Sequence, residues 1–140
     1  MDHLPLDLTD QAVPHYGLGL TASGLAPRSA RALAAAALDE WGMADLRDDV
    51  DLVVSELVTN AVLRSPCAEF MIALRGEEIE VAVWDDAPGL PEERHGLDPA
   101  AALDGRGLLL VREFSNAWGH RPAPGGGKVV WARLGPKPKE

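Results

Sequence analysis

The chain has a single cysteine, one tyrosine, two phenylalanines and no uninterrupted apolar run that approaches the roughly 18 residues of a membrane span. Cys67 alone cannot make an internal disulfide, and no Cys/His cluster shows zinc-ligand spacing. Basic residues are also scarce: 13 Lys and Arg against 22 Asp and Glu give a net charge of −9 and a pI near 4.8. A nucleic-acid binder needs a concentrated basic face to neutralise phosphates, so the balance argues against that class. Trp41, Trp84, Trp118 and Trp131 form no basic-aromatic stripe and read as core and edge packing. The N-terminus lacks a basic segment followed by an apolar one, so the expectation is a cytoplasmic protein with neither nucleic acid nor membrane as partner. In so acidic a chain, binding a small anion calls for local help from backbone N–H groups or a divalent cation.

What is present suffices for one domain, since 46% of the 140 residues are hydrophobic. Residues 1–15, with Pro5, Pro14 and scattered Asp, read as a loose arm; 16–134 read as the domain and 135–140 as a tail. Tyr16–Thr21 suits a short strand. The Ala-rich run from Pro27 to Trp41 suits a helix, with proline near its start and Gly42 just past its end. Asp45 is placed to cap a second helix that runs to Arg64 and stops before Pro66. Phe70–Leu74 and Ile79–Trp84 alternate around Arg75-Gly76-Glu77-Glu78, a hairpin signal. Beyond a polar connection reaching Asp104, Gly105 and Gly107 are expected to open a helix over Leu108–Asn116, and Val129–Leu134 a last strand behind the loop Pro122–Gly127. No internal repeat is seen. These elements predict an α+β fold: a two-layer sandwich of a mixed, mostly antiparallel sheet covered on one face by helices.

Three groups of polar residues sit oddly in this frame. Leu46, Val50, Val53, Val54, Leu57, Val58 and Ala61 mark one buried helical face. Asn60 falls at its margin and Glu56 just outside it on the same side, with Ser55 and Thr59 on the opposite, solvated side. A buried amide without a partner costs roughly 1–3 kcal/mol, so Asn60 asks for one. Asp85 continues the inward face of Ile79, Val81 and Val83. It either turns back to cap the loop Asp85-Asp86-Ala87-Pro88-Gly89 or orients a ligand. Gly105-Arg106-Gly107-Leu108 supplies glycines where a helix start would let backbone N–H groups approach a phosphate, though two glycines before a helix also make an ordinary turn.

In this order, the three groups resemble the ATP-binding domain shared by gyrase, heat-shock chaperones, histidine kinases and mismatch-repair proteins (GHKL type, Bergerat fold), most closely its small anti-sigma-factor serine kinase branch. Glu56 to Ala61, ELVTNA, looks like the family's first box, Asp85 to Gly89 its adenine box, and Gly105 to Leu108 its phosphate box. Trp118-Gly119-His120 and Gly127-Lys128-Val129-Val130-Trp131 look like its closing strands. The resemblance spans Tyr16 to Leu134 and implies the histidine-kinase-like ATPase fold, with ATP and Mg²⁺ as cofactors. By similarity Asn60 would bind Mg²⁺ through its side-chain oxygen. Glu56 would be the general base on a serine or threonine hydroxyl of a protein substrate, or polarise a water in hydrolysis. Asp85 would accept from the adenine amino group, Gly89 would allow close approach to the base, and Gly105, Arg106, Gly107 and Leu108 would line the triphosphate. The implied partners are a sigma factor and an anti-sigma-factor antagonist, with a homodimer expected.

The chain departs from the family pattern in places. Arg64 stands where the branch often has histidine, and either reaches phosphate or pairs with an acidic neighbour. Ala87 replaces a usual glycine, and Val129 stands near a usual threonine or serine whose hydroxyl helps hold a water seen by adenine; both changes point to weaker nucleotide binding. His95 and His120 are isolated and read as surface residues, and the acidic run Asp45 to Asp51 is explained by the helix dipole alone. The expected function is an ATP-dependent serine/threonine kinase that regulates transcription by partner switching. The alternative is a catalytically inactive GHKL-like module that sequesters a protein partner.

Overall fold

A computed structural model describes residues 13–21, 23–87 and 99–136, with the side chains of 99–106 left aside. The elements are β1 (His15–Thr21), α1 (Ala26–Glu40), a 3₁₀ turn (Ala44–Leu46), α2 (Arg47–Arg64), β2 (Cys67–Arg75), β3 (Glu78–Asp85), α3 (Pro99–Phe114), β4 (Ala117–Pro122) and β5 (Lys128–Leu134). The five strands form one sheet in the order β1-β2-β3-β5-β4, antiparallel at every pairing. The fold is thus α+β, one sheet with three helices, as the alternation of periods predicts.

Each element follows from local chemistry. The turn Gly76-Glu77 joins β2 to β3 with Arg75 opposite Glu78, a two-residue hairpin. Along β3, Ile79, Val81, Val83 and Asp85 point to the helices, whereas Ala82 and Trp84 join Val129 and Trp131 in a smaller cluster on the opposite face. Ala26, Ala30, Ala34 and Ala37 give α1 a stripe of small buried residues, so it lies close against α2. Tyr16 of β1 stacks on Trp41, with ring centroids 5.9 Å apart, and donates to Glu40, which ties the first strand to the end of α1.

The helix α2 is the centre of the molecule, packed against α1, α3 and strands β2, β3 and β5. Val50, Val53, Val54, Leu57, Val58 and Ala61 are its buried residues, the stripe expected from periodicity. Among the described residues no helix is long and apolar enough to cross a membrane.

Three expectations are corrected. Asp45 does not cap α2: the 3₁₀ turn intervenes, and the capping position is Leu46, with no side-chain hydrogen bond. Ser55 is only half-exposed, because α1 packs on that side: Arg31 donates to its hydroxyl at 2.8 Å, and the hydroxyl donates to the Asp51 carbonyl. The third helix begins at Pro99 rather than at the glycines. Proline suits a first helical position and the Ala100-Ala101-Ala102-Leu103 run propagates strongly, so Gly105 and Gly107 lie inside α3. The expected polar connection reaching Asp104 is therefore partly helical.

Candidate functional site

A small pocket opens between α2, α3 and the ends of β3 and β5, lined by Leu57, Asn60, Ala61, Arg64, Val83, Asp85, Leu108, Lys128 and Val130. The sheet supplies its floor. By period two, Val83 and Asp85 share the inward face of β3, and Lys128 and Val130 share that of β5. Two turns of α2 bring Leu57, Asn60, Ala61 and Arg64 to one wall, and Leu108 of α3 closes the other.

Asp85 is 2% exposed and makes the turn-capping bond that the sequence allows. Its Oδ1 accepts from the Ala87 backbone N–H at 2.9 Å, the turn-capping bond, while the same carboxylate lines the pocket. Its second partner was absent from the sequence reading: Lys128, 4% exposed, donates from Nζ to Oδ1 at 2.9 Å and lies 3.5 Å from the Ala87 carbonyl. Asp85 and Lys128 are direct cross-strand neighbours in the β3–β5 ladder. The signal was available, since counting back by two from Leu134, Ala132 and Val130 puts Lys128 on the inward face. Gly127, just before it, has φ 77°, and a side chain there would run into the Asp85 carbonyl, so only glycine lets the loop lie against the end of β3. Val129, considered above as a pocket residue, instead packs with Ala82 and Trp84 on the far face of the sheet.

Beside the pocket, Glu56 meets α3. A β-carbon on Gly107 would lie 2.5 Å from Glu56 Oε2 and 3.8 Å from Asn60 Nδ2, so the absence of a side chain at 107 lets α3 seat against both polar residues. Burial in this seam raises the Glu56 carboxyl above its ordinary pKa. A carboxylate so placed is a better proton acceptor than a solvated glutamate.

The structure therefore brings Asn60, Arg64, Asp85 and Leu108 to one pocket and sets Glu56 and Gly107 against each other at its side. Gly105 and Arg106 lie within α3, and their backbone N–H groups are internal to a helix rather than at its start. Gly89 and His95 lie outside the described residues. His120 is an exposed residue of β4. Below the pocket mouth, the Ser65 hydroxyl contacts the Asp86 carboxylate and the Cys67 carbonyl, which pins the end of α2 to the segment after β3.

The donor set fits a nucleotide with a metal. Apolar walls suit a flat base, Asp85 offers an acceptor at the floor, and the Asn60 amide oxygen is a hard neutral ligand. Among the described residues no three His, Cys, Asp or Glu side chains gather as a metal site. A divalent ion here would thus draw most of its oxygens from phosphate and water, as Mg²⁺ commonly does.

The family described as histidine kinase-, DNA gyrase B-, and HSP90-like ATPase matches this sequence over residues 45–138, from the 3₁₀ turn before α2 to just beyond β5. No match to a curated protein was found.

Proposed function

The chain belongs to the histidine kinase-, DNA gyrase B- and HSP90-like ATPase family, and on that premise we propose that it is an ATP-binding serine/threonine protein kinase of the anti-sigma-factor type, acting by partner switching in transcription control. The observation that carries the reading is the buried Asp85 at the floor of an apolar pocket whose α2 wall bears Asn60, with the desolvated Glu56 one turn away. In this reading the chain holds a sigma factor inactive and phosphorylates the antagonist that would displace it.

Each residue then has a task. Asp85 would accept from the adenine amino group, and Asn60 would hold Mg²⁺ through its side-chain oxygen, the ion supplying positive charge for the phosphates. Glu56 takes the proton of the substrate hydroxyl as that oxygen bonds to the γ-phosphorus and the bond to the ADP oxygen breaks. Arg64, at the pocket wall, stabilises phosphate charge. In this reading the hydroxyl that accepts the phosphate belongs to the partner protein.

One observation favours the non-enzymatic reading, in which the fold only sequesters a partner: α3 lies directly on the Glu56 carboxylate through Gly107. The deciding experiment recovers protein partners by pull-down, adds labelled ATP with wild type and Glu56→Ala in parallel, and follows phosphoserine and phosphothreonine on the partner. The kinase reading expects label with wild type, and a loss of roughly 10²–10⁴-fold in the mutant at unchanged Mg-ATP affinity. A tightly bound partner that never takes label makes the protein a sequestering module.

A further inference from the structure

The Asp85–Lys128 ion pair is an unusual thing to build into the floor of an apolar pocket. Both residues are more than nine-tenths buried, and both line the cavity. Such pairs do little for stability, because well-packed apolar residues in their place are often neutral or stabilising. A use in recognition accounts for the pair better.

Its geometry is one-sided. Ala87 N and Lys128 Nζ both donate to Oδ1, and among the described residues nothing donates to Oδ2. A carboxylate has about four acceptor positions, so half of the capacity is left. Lys128 has three N–H donors and meets Asp85 Oδ1 and, at the limit of hydrogen-bond range, the Ala87 carbonyl. The floor therefore sets a pure acceptor beside a pure donor, between the apolar side chains of Leu57, Ala61, Val83, Leu108 and Val130.

We infer that Lys128 reads the base: as Asp85 accepts from the exocyclic amino group of a 6-aminopurine, Lys128 donates to the ring nitrogen next to it. This rests on the reading of the pocket as an ATP site and adds a residue to which that reading gives no role. The edge of adenine at this point is a donor followed by an acceptor, the complement of Asp85 followed by Lys128. The pair is also held in place before any ligand arrives, because cross-strand pairing and the Gly127 turn fix Lys128 against the end of β3. That limits the ordering cost on binding.

The test compares Mg-ATP with its 1-deaza analogue, in which the ring nitrogen is a C–H, by titration calorimetry on wild type, Lys128→Gln and Lys128→Met. Wild type should bind Mg-ATP about tenfold or more tightly than the analogue, as a charged hydrogen bond in a buried site warrants. Lys128→Gln, which keeps an N–H donor, should retain part of the preference, and Lys128→Met should bind the two within about twofold. The wild-type comparison needs no variant to fold. Equal wild-type affinities would overturn the role of Lys128 while leaving the ATP site standing, and so would a preference undiminished in Lys128→Met. If Mg-ATP does not bind to wild type at all, the ATP reading itself fails.

Discussion

Gly107 of α3 lies so close to Glu56 of α2 that a β-carbon there would sit 2.5 Å from the Glu56 carboxylate. Glycine inside a helix costs roughly 0.5–1 kcal/mol relative to alanine, so a glycine kept at this point has a local reason. Gly107→Ala should change stability little: the propensity gain of about 1 kcal/mol offsets a rotamer cost of about 0.5–1.5 kcal/mol as the flexible end of Glu56 swings away. Its effect should appear in the chemistry instead, because displacing a base by about 1 Å can cost on the order of 10²-fold in rate. Thermal melts and phosphotransfer rates on the same preparation check this; a large loss of melting temperature with normal turnover per folded molecule would contradict it.

Glu56 also makes a pH prediction. Its pKa is raised by desolvation, so the native state holds this proton more tightly than the unfolded chain. Below the ordinary glutamate pKa both states are protonated and Glu56 carries no penalty. As pH rises from that value through the raised native one, the unfolded chain ionises first and the native state loses relative stability; above both the penalty is constant. Glu56→Gln should therefore be more stable than wild type at neutral pH, with the gain shrinking to nothing as pH falls below the usual carboxylate range. Urea melts across that range provide the check. If Glu56 is the base, the acid limb of the rate profile should likewise lie above the ordinary carboxylate value.

Removing one member of the Asp85–Lys128 pair leaves the other buried and uncompensated. Asp85→Ala should cost about 3–5 kcal/mol, and Asp85→Ala with Lys128→Met should recover most of that. The milder Asp85→Asn should weaken ATP more than bare triphosphate, because only ATP offers an amino group. Calorimetry with both ligands decides: an equal loss would assign Asp85 a structural role alone.

Asn60 carries the metal prediction. ATP should raise the melting temperature of wild type with Mg²⁺ and much less with EDTA, since an acidic chain needs a counterion at the triphosphate. Asn60→Ala should remove the Mg²⁺-dependent part. Equal shifts with Mg²⁺ and with EDTA would exclude Asn60 as a ligand.

Much of this architecture was legible from residue order. The α2 stripe from Val50 to Ala61, the hairpin around Gly76-Glu77 and the inward direction of Asp85 all follow from helical or strand period, which depends on neighbours a few residues apart. The grouping of Asn60 with Asp85 was suggested only by resemblance. It was the packing of α2 across β3 that put them in one pocket.

Other features depended on long-range contacts that no local period contains. Ser55 reads as solvated on a helical wheel, yet α1 arrives from 24 residues away and packs on that side, leaving it half-exposed. Gly105 and Gly107 read as a helix start, but the alanines before them extend α3, and Gly107 becomes the point where two helices meet. Strand period puts Lys128 on the inward face, but only the pairing of β5 with β3 sets it against Asp85, 43 residues earlier. Residue order thus determined which side chains face inward, through the periods of helix and strand. Only tertiary structure decided which inward-facing polar groups meet, because a buried charge takes whichever partner chain folding places within reach.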